Sequence, residues 1–166
     1  VAQFTSLPTS GCAPLSVQFT DASISPNPAS NPITSWLWNF GDGTTFNGQN
    51  PPAHAYAVGV YDVSLTITTS SGCAATVTLP QHVQVGFIDQ INFTVEPTIQ
   101  CAKADVDFTN TTVILAPHTP NEVTYFWDFG DDQTSTEPTP THSYESDTGY
   151  YEVMLIVDFR GCKDTL

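Results

Sequence analysis

Basic residues are almost missing from this chain: Lys103, Arg160 and Lys163 stand against 17 Asp and Glu, a formal charge of −14 over 166 residues. A surface so poor in cations repels phosphate backbones and anionic bilayers, so nucleic acid is excluded as a partner. No apolar run reaches the roughly 18 residues of a membrane-spanning helix, and direct membrane insertion is not expected. Sustained helical periodicity is lacking too, and 13 prolines interrupt the stretches between apolar segments. Neither a Cys-x-x-Cys pair nor a Gly-x-Ser-x-Gly elbow occurs, which removes common zinc and serine-hydrolase signatures. The first residues, Val1-Ala2-Gln3-Phe4, have none of the basic and apolar regions of a secretion signal, so a leader is expected to have preceded them.

What is present is two-residue alternation. Tyr61-Asp62-Val63-Ser64-Leu65-Thr66-Ile67 and Tyr151-Glu152-Val153-Met154-Leu155-Ile156-Val157 put apolar side chains on one face, the mark of a half-buried strand. Val17 and Phe19, then Trp36, Trp38 and Phe40, then Val77, Leu79, Val83 and Val85 continue the pattern between Pro-, Asn-, Gly- and Ser-rich breaks. Strands are predicted over 3–7, 15–21, 34–40, 59–68 and 74–85, with a short one before His54, and residues 89–96 open a second series. About seven short strands in about 85 residues is the count of an immunoglobulin-like sandwich, so the fold class is all-β.

The series is written twice. Trp38-Asn39-Phe40-Gly41-Asp42-Gly43 returns 89 residues later as Trp127-Asp128-Phe129-Gly130-Asp131-Asp132, and His54-Ala55-Tyr56 returns as His142-Ser143-Tyr144, one residue short. Two tandem sandwiches are therefore expected, over 1–86 and 87–166, with Gly86 at the seam and the last strand of the second truncated. So short a linker predicts a stiff pair. Cys12 maps onto Cys101 and Cys73 onto Cys162, each pair 61 residues apart. The pairing that respects the repeat is Cys12 with Cys73 and Cys101 with Cys162, one disulfide per domain. Each would stabilise its module by about 4 kcal/mol in the chain-entropy model and place the chain in an oxidising, extracellular compartment. Four reduced, buried thiols are the other reading.

Trp-Asn-Phe-Gly-Asp-Gly, then His-Ala-Tyr, then Gly-Val-Tyr-Asp-Val-Ser-Leu-Thr-Ile resembles the polycystic kidney disease (PKD) domain, in both halves. The resemblance implies an immunoglobulin-like sandwich used outside the cell as a spacer, adhesion or carbohydrate- and protein-contacting module without catalysis of its own. The segments Gly-Cys-Ala-Pro-Leu-Ser-Val-Gln-Phe and Ser-Gly-Cys are similar to repeats of large surface adhesins of gliding or polymer-degrading Bacteroidetes. Asp132 departs from the motif's usual Gly.

The candidate residues divide by chemistry. Trp38 and Trp127 are expected to pack on the adjoining disulfides beside Phe40 and Phe129. Gly41, Gly43 and Gly130 turn the chain outward, Asp42 and Asp131 bond amides in that turn, and Tyr56 and Tyr144 tie loops through their phenols. His54 and His142 read as structural histidines. Asp128, Asp131 and Asp132 form an acidic turn without an opposing carboxylate, which disfavours glycoside hydrolysis and leaves either a solvated turn or a calcium site, with Glu122 or Glu137 as further oxygen donors. No other cofactor is implied. Trp36, Phe46, Tyr125 and Tyr150 are the candidates for sugar stacking, and the loops 23–32 and 114–121 for recognition. Asn92, Asn110 and Asp164 begin short glycosylation-like triplets. The expected function is a stalk or adhesin segment whose partners are neighbouring repeats, or a surface polysaccharide or protein. The alternative is a substrate-presenting accessory of a secreted hydrolase.

Overall fold

The computed structural model describes residues 1–99, 103–114, 118–145 and 149–166. It divides into two compact units, Val1–Gly86 and Phe87–Leu166. The described residues contain strands, turns and one 3₁₀ turn at Pro120–Glu122, and no helix among them is long and apolar enough to cross a membrane.

Unit 1 is built from β1 (Phe4–Leu7), β2 (Ser10–Cys12), β3 (Leu15–Asp21), β4 (Ile33–Asn39), β5 (Thr45–Asn47), β6 (His54–Tyr56), β7 (Gly59–Thr69) and β8 (Ala74–Gly86). One sheet has the order β1-β3-β6 and the other β2-β8-β7-β4-β5. Alternation places the core: along β3, Leu15, Val17 and Phe19 are buried while Ser16, Gln18 and Thr20 are exposed, and Val63, Leu65 and Ile67 do the same from β7. These inner faces meet around Trp38, which is 0% exposed.

Unit 2 repeats the plan with β9 (Phe93–Glu96), β10 (Asp105–Asn110), β11 (Val123–Asp128), β12 (Thr134–Ser135), β13 (Thr141–Ser143), β14 (Met154–Phe159) and β15 (Cys162–Thr165). Its sheets run β13-β10-β9 and β12-β11-β14-β15 around Trp127, also 0% exposed. In unit 1 the long β8 reaches back past the start of β7 and delivers Val83 and Val85 to the core, whereas β15 pairs only with Ile156–Phe159.

Three edge strands of unit 1 differ from the predicted set. Two strands, β5 and β6, take the place of the single short one expected before His54, and His54 itself lies in β6. Strand β2 pairs parallel with β8, Ser10 beside Gln84 and Cys12 beside Gly86. Each spans three residues, too few for a period to show.

The cysteines correct the sequence-based pairing. Cys12 and Cys162 are both disulfide-bonded, while Cys73 is a free, exposed thiol; Cys101 lies outside the described residues. Cys12 with Cys73 is impossible in this fold, since Cys73 precedes the first residue of β8 and Cys12 lies beside its last. A strand of 13 residues separates them by roughly 40 Å at about 3.3 Å per residue, against the roughly 7 Å a disulfide tolerates. Equal spacing in two copies shows that the cysteines correspond, not that they meet. With Cys73 free, Trp38 has no Cys12–Cys73 disulfide to pack on; Phe4 and Phe19 sit against it, their centroids 5.3 and 5.8 Å away, and Phe93 and Phe108 sit against Trp127 at 5.1 and 5.7 Å.

Candidate functional site

The Trp-x-Phe-Gly-Asp motif occupies the end of β4 and the turn into β5, and again the end of β11 and the turn into β12. Each tryptophan Nε1 donates to a backbone carbonyl ten residues on, Trp38 to Gly48 at 3.0 Å and Trp127 to Glu137 at 2.9 Å, so the buried indole keeps no unpaired donor. The chain then leaves the strand through Gly41, φ +83°, and Gly130, φ +79°. A Cβ at Gly41 would lie 2.3 Å from the Asp62 carbonyl oxygen, and one at Gly130 would lie 2.7 Å from that of Glu152. Glycine is thus required twice over, by dihedral and by approach. Gly43, φ +89°, has open space around it, and its counterpart Asp132 adopts φ +65°. The left-handed turn survives there because Asp tolerates this region better than most residues.

Side chains fasten the turn from outside. Asn39 Oδ1 accepts from the Gly41 amide at 2.9 Å and Asp128 Oδ1 from Gly130 at 3.0 Å. Asp42 Oδ1 accepts from the amide and hydroxyl of Thr44 at 2.9 and 2.6 Å, and Asp131 Oδ1 from the Gln133 amide at 3.2 Å. The second carboxylate oxygen faces a histidine from the opposite sheet: His54 Nε2 to Asp42 at 2.7 Å, His142 Nε2 to Asp131 at 2.8 Å. Both imidazoles stack on the motif phenylalanine, 4.1 Å from Phe40 and 4.1 Å from Phe129, with interplanar angles of 11° and 5°. Tyr56 and Tyr144 complete the set, each hydroxyl donating at 3.1 Å to the carbonyl of that phenylalanine.

Asp, His, Phe and Tyr from two sheets therefore lock one turn, and the same lock is built in each unit. Burial opposes ionisation of Asp42, but hydrogen bonds from Thr44 and His54 outweigh it and hold its carboxyl below the usual range. Burial, then the charge of Asp131 and the Tyr151 phenol, push Tyr144 up to about 12, and burial with Asp42 raises Tyr56 further. The sequence reading missed the Asp–His contact. Its signal was present, since Asp42 and His54 recur together as Asp131 and His142 despite the deletion between them.

The other candidates fall elsewhere. Among the described residues no group of three or more His, Cys, Asp and Glu is gathered as a metal site. Asp128 and Asp131 bond within the turn, Glu122 pairs with Arg160 at 2.8 Å, and Glu137 gives its backbone to Trp127. Trp36 and Phe46 pack half-buried on the core of unit 1 and Tyr125 on that of unit 2, while Tyr150 is fully exposed. The ring of Phe46, from β5, lies over Gly48, where a Cβ would come within 2.8 Å of it. The loop 23–32 closes an open depression of about 370 Å³ with Trp36, Asp21 and Gln49; Asp21 Oδ2 accepts from Trp36 Nε1 at 2.8 Å and from Gln49 Nε2 at 3.1 Å. The loop 114–121 lies partly outside the described residues.

Two immunoglobulin-like sandwiches in tandem, each with a glycine turn locked by an Asp–His pair, define the class of protein. The profile of the PKD domain matches residues 1–85 and 92–165, and the chain belongs to that family. Over 45 residues it is 47% identical to the pre-pro-metalloprotease PrtV of Vibrio cholerae, a match covering 27% of this chain and 5% of that protein. Over 47 residues it is 51% identical to a microbial collagenase of Vibrio alginolyticus, covering 28% of this chain and 6% of the collagenase. The chain thus spans about a twentieth of the curated relatives it matches. Among solved structures, the PKD1 domain of Vibrio anguillarum Epp is 32% identical with a TM-score of 0.43, the match covering 51% of this chain and 93% of that one. The PKD1 domain of the Vibrio cholerae metalloprotease PrtV is 30% identical at 0.40, covering 50% and 94%.

Proposed function

We propose that this chain is a non-catalytic, extracellular spacer segment, a pair of modules in a larger secreted or surface protein. The observation that carries it is the doubled lock: the side chains with the strongest chemistry, Asp42 and His54, Asp131 and His142, are spent on the same internal turn in both units. A carboxylate bonded through both oxygens, one of them to an imidazole that is itself stacked on a ring, is placed for rigidity rather than for turnover. A charge of −14 suits such a segment by keeping it soluble. Its partners are neighbouring modules of the same polypeptide, and a stalk or adhesin of the kind found on bacterial surfaces is the larger protein this reading favours.

The second reading, an accessory that presents a polymer to a hydrolase, draws on the metalloprotease and collagenases among its relatives. It would use the depression under loop 23–32, where Trp36 offers the edge of an indole beside Asp21. Co-sedimentation of the 166-residue chain with insoluble collagen, chitin and cellulose separates the two. The spacer stays in the supernatant with all three. Retention that is lost in Trp36→Ala, with the fold intact, would establish presentation instead.

A further inference from the structure

We propose that Ser6 and His82 form an acid-sensitive clasp between the two sheets of unit 1, with His82 neutral, its ring proton on Nδ1 and its Nε2 accepting from the Ser6 hydroxyl. Acidification opens the clasp and loosens β1 from β8.

The two residues come from different sheets, β1 from β1-β3-β6 and β8 from β2-β8-β7-β4-β5. Between those sheets the chain crosses over: it leaves β1 at Leu7 and enters β2 at Ser10, which lies beside Gln84, two residues after His82. The Gln84 amide donates to the Thr9 carbonyl at 2.9 Å. His82 therefore stands at the crossing, with its Nε2 2.6 Å from Ser6 Oγ. The ring also meets Phe4 edge to face, 5.5 Å between centroids at 90°, and Phe4 packs on Trp38 at 5.3 Å. What the clasp holds thus reaches the core directly.

Ser6 takes a place that suits an apolar side chain. It lies opposite the buried Phe19, and the same register position in unit 2, opposite Phe108, holds Val95, which packs on the core there. A hydroxyl on the core side of β1 needs a partner, and His82 supplies it. An irregularity in the strand pairing presents the ring: the β7–β8 register shifts between Tyr61 and Val63, and the Gln81 amide donates to Asp62 Oδ1 at 2.6 Å.

The groups around the ring leave it uncompensated when charged. Strand β1 offers Phe4 and Ser6 and no ionisable group, and His82 is the one ionisable residue of β8. Cys12 of β2 is disulfide-bonded; in β7, Asp62 is engaged by Gln81, and the Tyr61 phenol donates to the Ala57 carbonyl at 3.1 Å. No ion pair among the described residues involves His82. Burial accordingly pushes the imidazole below the ordinary histidine value. A proton on Nε2 turns the acceptor into a donor and sets a cation beside Phe4; the ring escapes by swinging to water, which breaks its bond to Ser6. The unfolded chain takes up this proton near pH 6.5, roughly, and the folded chain only below that, so the clasp's contribution is whole above about 6.5 and is lost as pH falls from there.

Proton NMR of the 166-residue chain is the test. The His82 ring should titrate below about 6.5. The protection factor of the Gln84 amide, corrected for intrinsic exchange, should fall by up to about tenfold per pH unit below that point, while the Phe40 amide of the motif turn keeps its protection. In His82→Gln, which cannot take the proton, and in Ser6→Val, which installs the residue of unit 2, Gln84 protection should no longer depend on pH over this range. A ring that titrates at or above about 6.5 would overturn the proposal. So would a Gln84 protection that falls with pH in either variant as it does in the parent chain, or an equal loss at Phe40.

Discussion

At the scale of single residues the two glycines of the motif are unequal, although both lie in the left-handed region. An alanine methyl at Gly41 meets the Asp62 carbonyl at 2.3 Å, while one at Gly43 meets nothing within 4 Å. Gly43→Ala is thus expected to lose about 1–2 kcal/mol, the backbone term alone, and Gly41→Ala clearly more, because β7 must move; thermal unfolding of the two variants checks the order. The lock also dictates how each unit responds to pH. The Asp42 carboxyl is held low, so its contribution is present above the unfolded value of about 4 and is lost as pH falls below it. Tyr144 is pushed up to about 12, so its contribution is complete below about pH 10, the unfolded value, and is lost as pH rises from there through 12. Unfolding followed by circular dichroism should therefore show a shallower acid limb in Asp42→Asn and a shallower alkaline limb in Tyr144→Phe. Unchanged limbs would mean that other groups set them.

At the scale of elements, legibility followed length. Strands β3, β4, β7 and β8 announced themselves because seven or more residues repeat the signal several times in unit 1, and the six-residue β14 did so in unit 2. The three-residue edges β2, β5 and β6 did not, since their positions are fixed by hydrogen bonds to a neighbour already in place. The motif turn was half legible. Gly41 and Tyr56 could be assigned from what glycine and a phenol do in any sandwich, but the His54–Asp42 contact joins opposite sheets and depends on which way the turn points. The cysteines were the plainest failure: their spacing carried the repeat, and only the direction of β8 revealed that Cys12 and Cys73 lie at opposite ends. Loop 23–32 is held by its own bonds, Ser25 Oγ to the Asn31 carbonyl at 2.6 Å and Asn31 to the β7–β8 turn. Asn31→Ala should free this loop and that turn together, seen as faster amide exchange at Ser71, while the motif turn at Asp42 keeps its protection; loss of protection at both would show that the lock and the loop are one cooperative element.

At the scale of the molecule, two units share a plan, and the first completes it with a strand that pairs on both sides. Strand β2 lies parallel to β8, bonded through Thr9 to Gln84 and Gly86 to Ala13, each at 2.9 Å. If tension is applied between Val1 and Gly86, the two strands are drawn in opposite directions along their own axes. Their hydrogen bonds are then loaded together, as a lap joint is, rather than opened one after another like a zip. Antiparallel pairing at the same place would have peeled. Pulled by its ends in a force spectrometer, unit 1 should hold until this short parallel patch slips and then extend in one step; gradual extension at low force would show that the patch peels instead. A three-residue strand that escaped every periodicity would then be the part of the module that bears load.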